Sequence, residues 1–238
     1  MRNKIIHCDI VASMKSIQTS LSRVFHNGNI VCFEFDLEAT SPVNSGQYVM
    51  AHRVGDFLPT PLFPSGMTGL YFTSATPIDS PWQPGDLFRL RYPLGKGFTI
   101  QKKTPSRLLM VSGTENPLRL LPAAGMVLAD QGAVAFFGYH QPDDLPVEIE
   151  VLTRDQLSEA LTWADCVIGD TSYENLAVWN GLVRDSMSGS TYDIQVLVDT
   201  PMVCMGMAEC GVCAVKTRHG WKHACVDGPV FPLAELDV

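Results

Sequence analysis

The stretch P-M-V-C-M-G-M-A-E-C-G-V-C-A-V-K-T-R-H-G-W-K-H-A-C-V-D-G-P-V-F, from Pro201 to Phe231, decides how the rest of the chain is read. It holds four of the seven cysteines, spaced Cys204-x5-Cys210-x2-Cys213-x11-Cys225. Three thiols close together and one returning later is how a chain wraps a compact metal centre. Gly206 and Gly211 let the backbone bend tightly, so that N–H groups can point at ligand sulfurs. After Cys213, A-V-K-T, R-H-G and W-K-H-A-C read as strand, turn and returning strand, a hairpin that carries Cys225 back beside the other three.

A [2Fe–2S] cluster takes four such ligands, and plant-type ferredoxins supply them as C-x4-C-x2-C with a distant fourth. The first gap here is one residue longer. A four-thiolate zinc site is the alternative, with a C-x2-C knuckle and His219 and His223 close enough to substitute. Disulfides are a third reading, against which stands the lack of other signs of secretion.

The segments D-T-P-M-V-C-M-G-M-A-E-C-G-V-C-A-V and A-C-V-D-G-P-V-F, between Asp199 and Phe231, carry a resemblance. The tail resembles that of the electron-transfer (iron–sulfur) subunit of two-subunit, NAD-linked dihydroorotate dehydrogenases, in the ferredoxin reductase superfamily. The resemblance implies a [2Fe–2S] cluster on Cys204, Cys210, Cys213 and Cys225, and a catalytic flavoprotein subunit as partner in a hetero-oligomer of pyrimidine biosynthesis. A similar tail closes the small subunit of a ferredoxin-dependent NADP oxidoreductase, where the first ligand is an aspartate. Cys204 favours the dihydroorotate type.

Composition sets bounds. A chain of 238 residues, 46% hydrophobic, can bury two small domains and an appendage. The formal net charge is −8 and no basic run occurs, which speaks against nucleic acid as a partner. No run of 18 or more apolar residues predicts a membrane span. Asp9 interrupts the N-terminal stretch before a signal peptide's apolar region forms, so the expected location is cytoplasmic, with reduced thiols.

Residues 1–103 read as short strands at intervals, an antiparallel β-barrel of the flavin-binding kind. N-I-V-C-F-E-F-D-L from Asn29, G-Q-Y-V-M-A-H, G-L-Y-F-T-S and D-L-F-R-L-R-Y are its clearest strands. Cys8 and Cys32 read as buried apolar side chains, and His52 as a structural histidine at a strand end. Ser45-Gly46-Gln47-Tyr48-Val49 resembles the family's P-G-Q-F strand, and Gln83–Asp86 with Tyr92–Phe98 its P-G-D…G-P-L-G-x-G-F segment. The family's flavin-anchoring R-x-x-S motif is degenerate here: Thr60 stands in place of the arginine and Phe63 in place of the hydroxyl. The stretch between Tyr71 and Trp82 is also too short and too poor in glycine for the usual second phosphate contact. Pro61, Leu62, Gly95 and Gly97 are the residues left to hold FAD, if FAD binds.

From residue 104 to 200 strands alternate with helices, the pattern of an NAD-binding-like α/β domain with a parallel sheet. Helices are expected over Leu118–Gln131, from a start at Asp155, and over Tyr173–Met187 with Ser172 as cap; Cys166 is expected in a core strand. The turn Ser112-Gly113-Thr114-Glu115-Asn116-Pro117 keeps one glycine of a phosphate-binding turn and puts an acid where phosphate would sit. Ile168-Gly169-Asp170-Thr171 lacks the cysteine and proline of the family's nicotinamide loop. NAD is therefore not expected.

The chain reads as a β-barrel, an α/β domain and a [2Fe–2S] subdomain over residues 201–238. Its expected role is electron transfer to or from a partner flavoprotein, with substrate chemistry on the partner, since no catalytic acid, base or nucleophile constellation stands out. A zinc-holding interaction module and a complete FAD- and NADH-using reductase are the alternatives.

Overall fold

The computed structural model describes residues 15–37, 42–74, 81–100, 106–140, 145–187 and 193–238. Cys8, Asp9 and part of the stretch between Tyr71 and Trp82 lie outside them.

Six antiparallel strands close a barrel: β1 (Lys15–Asn27), β2 (Ile30–Phe35), β3 (Tyr48–Arg53), β4 (Thr60–Ser65), β5 (Tyr71–Ser74) and β6 (Leu87–Leu94), ordered β1-β2-β5-β4-β3-β6. Closure leaves no edge to template aggregation. Phe33, Phe35, Leu62, Phe72, Trp82, Phe88 and Tyr92 fill the interior. Trp82 and Phe88 meet nearly edge-to-face, 4.6 Å between centroids. The imperfect alternation of β2 has a physical cause, because both its faces are buried. Phe33 points into the barrel, while Cys32 packs outward with Leu108, Met110 and Leu118 of the second domain. His52 Nε2 lies 2.9 Å from the Asp56 carbonyl, a structural contact.

The second half forms a six-stranded sheet, ordered β14-β11-β10-β7-β8-β9. Its members are β7 (Arg107–Ser112), β8 (Ala133–Gly138), β9 (Ile149–Val151), β10 (Cys166–Ser172), β11 (Ile194–Asp199) and β14 (Val230–Pro232). The first five are parallel and β14 is antiparallel. Residues of one strand alternate between two cores. Leu108 and Met110 pack with α1 (Leu121–Ala129), whereas Leu109 and Val111 pack with α2 (Leu157–Trp163) and α3 (Leu176–Asp185). Burial on both faces is why these strands read as continuous apolar runs, and Cys166 sits in the core as expected.

The helices start differently from the sequence expectation. The first begins as a 3-10 turn over Pro117–Leu120. The second opens with a capping box of Thr153 and Gln156 rather than at Asp155. Ser172 ends β10, and α3 begins at Leu176 after Asn175, whose N–H donates to the Ser172 hydroxyl at 3.3 Å. Ile168-Gly169-Asp170-Thr171 lies within β10, not in a loop. A side chain at Gly169 would run into Trp179 of α3 and the Val111 carbonyl, so this glycine permits close helix–sheet packing.

Candidate metal centre

The last forty residues form a small lobe seated on both domains. β12 (Ala214–Thr217) and β13 (Gly220–His223) make the expected hairpin. The returning strand stops at His223, and Cys225 lies on the one-turn helix α4 (Ala224–Asp227). The chain then joins the sheet through β14, where Val198 N–H donates to the Pro229 carbonyl at 2.9 Å. The same segment touches the barrel, because Lys96 N–H donates to the Gly228 carbonyl.

The four cysteines lie in one lobe, near enough that Cys210 perturbs Cys204, and Cys213 and Cys204 perturb Cys225. Cys213 and Cys225 are each 1% exposed, Cys204 is half-buried and Cys210 is exposed. Met205, Gly206, Ala208 and Gly211 all adopt positive φ, which folds the backbone around the sulfurs. Such a conformation is rare for non-glycine residues such as Met205 and Ala208. Concave runs of backbone N–H groups of this kind bind anions. Burial would raise the Cys204 thiol, but the N–H groups of Met207, Glu209 and Cys210, with the Cys210 side chain, overcome it and bring its pKa down to about 6. Burial, reinforced by the Cys213 thiol, pushes Cys225 up to about 12, against one N–H from Ala208.

Four cysteine thiols in one small lobe are a donor set of the kind that holds iron–sulfur clusters and structural zinc.

The end of the barrel supports the lobe directly. The Tyr48 hydroxyl donates to the Cys225 carbonyl at 2.8 Å, and Arg91 Nη1 donates to the Met205 carbonyl at 2.7 Å. Burial, then the Cys225, Cys213 and Cys204 thiols, push the Tyr48 phenol above its ordinary pKa, opposed by Arg91. Tyr48 therefore keeps its proton.

A cavity of about 1190 Å³ runs from the barrel to this lobe. Phe57, Leu58, Thr60 and Pro61 line one wall, and the carboxyl ends of β7, β10 and β11 line another. Val203 and Val212, neighbours of Cys204 and Cys213, close its far end. The crevice at the carboxyl ends of parallel strands is where open α/β sheets take ligands.

Arg119, which sequence reasoning missed, lies at the base of the cavity. Its side chain is 1% exposed and bridges two strand ends: Nε to Asp170 Oδ2 at 2.7 Å and Nη1 to Asp199 Oδ1 at 2.6 Å, with Nη2 also on Asp199. Thr114 donates to the same Asp170 oxygen at 2.8 Å, and the guanidinium sits 5.4 Å from the Phe63 ring centroid. Burial opposes the charge, yet Asp199 and Asp170 outweigh it and hold Arg119 protonated. The only sequence signal was an arginine set in the apolar run P-L-R-L-L, with aspartates near the ends of two later strands.

The expected flavin residues are scattered in role. Pro61 lines the cavity. Leu62 is wholly buried in the barrel core. Gly95 is enclosed by protein, since a Cβ there would lie 2.6 Å from the Gly228 carbonyl oxygen. Gly97 packs against the Ser45 carbonyl. Both arginines on the cavity wall are engaged by carboxylates, Arg53 by Asp56 and Asp86 and Arg119 by Asp170 and Asp199. A cavity next to the thiols has room for a flavin ring, but its arginines as placed do not fit a pyrophosphate.

Residues 199–237 match the model of the iron–sulfur cluster binding domain of dihydroorotate dehydrogenase B. The chain is 23% identical over 223 residues to the electron transfer subunit of dihydroorotate dehydrogenase B (NAD(+)) from Clostridium perfringens, covering 84% of this chain and 90% of that one. Its fold is similar to a solved structure of NADH-dependent reduced ferredoxin-NADP oxidoreductase, studied for flavin-based electron bifurcation. The TM-score there is 0.71 at 17% identity, over 92% of this chain and 89% of the other. It is also similar to Amycolatopsis cytochrome P450 reductase GcoB, with a TM-score of 0.55 at 12% identity over 78% and 71% of the two chains.

Proposed function

We propose that this chain, a divergent member of the dihydroorotate dehydrogenase electron-transfer subunit family, holds a [2Fe–2S] cluster on Cys204, Cys210, Cys213 and Cys225. The observation that carries the reading is that these four cysteines all lie inside the segment that matches an iron–sulfur domain and are near enough to perturb one another. When bound, the cluster supplies a one-electron carrier. The chain's own part is to present four sulfurs in a loop rich in inward amides, to bury Cys213 and Cys225, and to leave Cys210 near the surface.

A partner catalytic flavoprotein subunit of the dihydroorotate dehydrogenase type, in a hetero-oligomer, would perform the substrate chemistry. Met207, Trp221 and Val226 are exposed apolar side chains of the cysteine lobe, the part of the chain on which that partner would dock. Exposed aromatic and methionine side chains are enriched at such interfaces. We place the domain limits at residues 1–103, 104–200 and 201–238, with β14 lent back to the sheet. No helix among the described residues is long and apolar enough to cross a membrane; a cytoplasmic location is part of the proposal.

A second reading, a subunit that also carries FAD, is favoured by the cavity that ends beside Cys204 and Cys213. One measurement separates the readings: an anaerobic visible spectrum of the purified chain, with iron, zinc and acid-released flavin quantified on the same sample. Iron and sulfide-to-iron absorption without flavin is the expected outcome. Stoichiometric flavin would establish the second reading, and zinc without iron would overturn both.

A further inference from the structure

Tyr48 is a barrel side chain that contacts the cysteine lobe at two places, the Cys225 carbonyl and Gly206. It is fully buried, its ring lies 6.0 Å from Phe63, and its hydroxyl donates to the Cys225 carbonyl. On the other side it meets the first half of the cysteine loop, for a Cβ on Gly206 would lie 2.8 Å from the same hydroxyl oxygen. That glycine has φ +73°, so the loop is pressed onto the phenol by a turn few other residues could make. Arg91 holds the neighbouring Met205 carbonyl from the same barrel end. A phenylalanine would fill the same space without the hydroxyl.

We propose that Tyr48 is a positioning residue that sets the reduction potential of the cluster through the Cys225 carbonyl. The inference rests on the cluster assignment above. A hydroxyl hydrogen donated to the backbone carbonyl of a ligand residue, in a region shielded from water, draws negative charge away from that residue and favours the form carrying the added negative charge. Hydrogen bonding around ligands is one of the recognised means of tuning such centres. Tyr48 thereby raises the potential, with Arg91 acting in the same sense.

The experiment is a redox titration of the full-length, cluster-loaded protein, followed by visible absorption and by electron paramagnetic resonance of the reduced form. Tyr48→Phe should keep its iron and lose about threefold in the reduced-to-oxidised ratio at fixed ambient potential, about 28 mV to the negative side for a one-electron couple. Should Tyr48→Phe fail to hold iron, 3-fluorotyrosine placed at position 48 keeps the shape and strengthens the donor, and the potential should move to the positive side. An iron-loaded variant of either kind with an unshifted potential overturns the inference. A wild-type protein that binds no iron refutes the cluster assignment itself, a failure seen before any variant is titrated.

Discussion

Replacing Arg119 by methionine removes the charge at the centre of the fold while keeping much of the packing. The side chain is 1% exposed and its partners Asp170 and Asp199 are 0% and 18% exposed, so Asp170 above all is left without a replacement partner. Asp170 already has one buried oxygen, Oδ1, without a partner. In the variant that carboxylate keeps only the Thr114 hydroxyl, and Asp199 loses both bonds from the guanidinium. Removing one member of a buried ion pair costs about 3–5 kcal/mol, because the other charge is left uncompensated. For a chain of this length that is a fall of roughly 6–20 °C in Tm. Urea unfolding followed by tryptophan fluorescence is the assay, since Trp179 packs directly beneath Gly113 and Gly169 of this site. The sign of the pH dependence is fixed as well. Burial already holds the Asp199 carboxyl above the usual carboxylate range against Arg119, and without the guanidinium that rise is larger. The added penalty is then absent below the unfolded value of about 4, grows as pH rises from there to the folded value and is constant above it. The gap between Arg119→Met and wild type should therefore close on acidification. Lys216→Met is the control, as the Lys216–Asp237 pair is about half exposed and such solvated pairs contribute little. A loss below about 1 kcal/mol in Arg119→Met, or a gap independent of pH, would refute the reasoning.

The remaining predictions concern the cysteines. Cys213→Ser should abolish or bleach the visible spectrum, whereas Cys166→Ser, a core position of β10, should leave it intact; bleaching in the second variant would mean that the four ligands are wrongly chosen. In metal-free protein, alkylation by iodoacetamide mapped by mass spectrometry should mark Cys204 first. Its rate should rise with pH to a plateau with a midpoint near the thiol's pKa of about 6, while Cys225, at about 12 and buried, stays unmodified. Equal labelling of the two at neutral pH would contradict the amide arrangement around Cys204.

The parts of the fold legible in sequence are those that local spacing determines. The C-x2-C knuckle, the hairpin turn at Gly220 and the apolar runs of β7, β8, β10 and β11 each announce themselves within a few residues. Other parts depend on distant partners. The longest strand of the barrel, β1, is a string of Ser, Thr, Gln and Lys with one buried residue, Leu21, so it lacks the apolar alternation that marks a strand. In β4, Pro61 and Pro64 lack amide donors, and the run looks like a loop until its neighbours β3 and β5 are seen. β14 is short and joins β11 from across the molecule, which no local pattern reveals.

Asp170 shows how a residue's meaning changes with its surroundings. As sequence, it is an acid in a stretch that lacks the cysteine and proline of the resembling family's nicotinamide loop, and it counts against a nucleotide. In the fold it is wholly buried and bound by Arg119, which also holds Asp199, the residue from which the cysteine lobe departs. The same guanidinium lies over Phe63, which neighbours Tyr48, and Tyr48 donates to Cys225. An unbroken series of contacts thus links the sheet, the barrel and the candidate ligands. Phe63 and Asp170, two positions where the sequence reading expects departures from the resembling family's motifs, are thus both partners of one buried arginine.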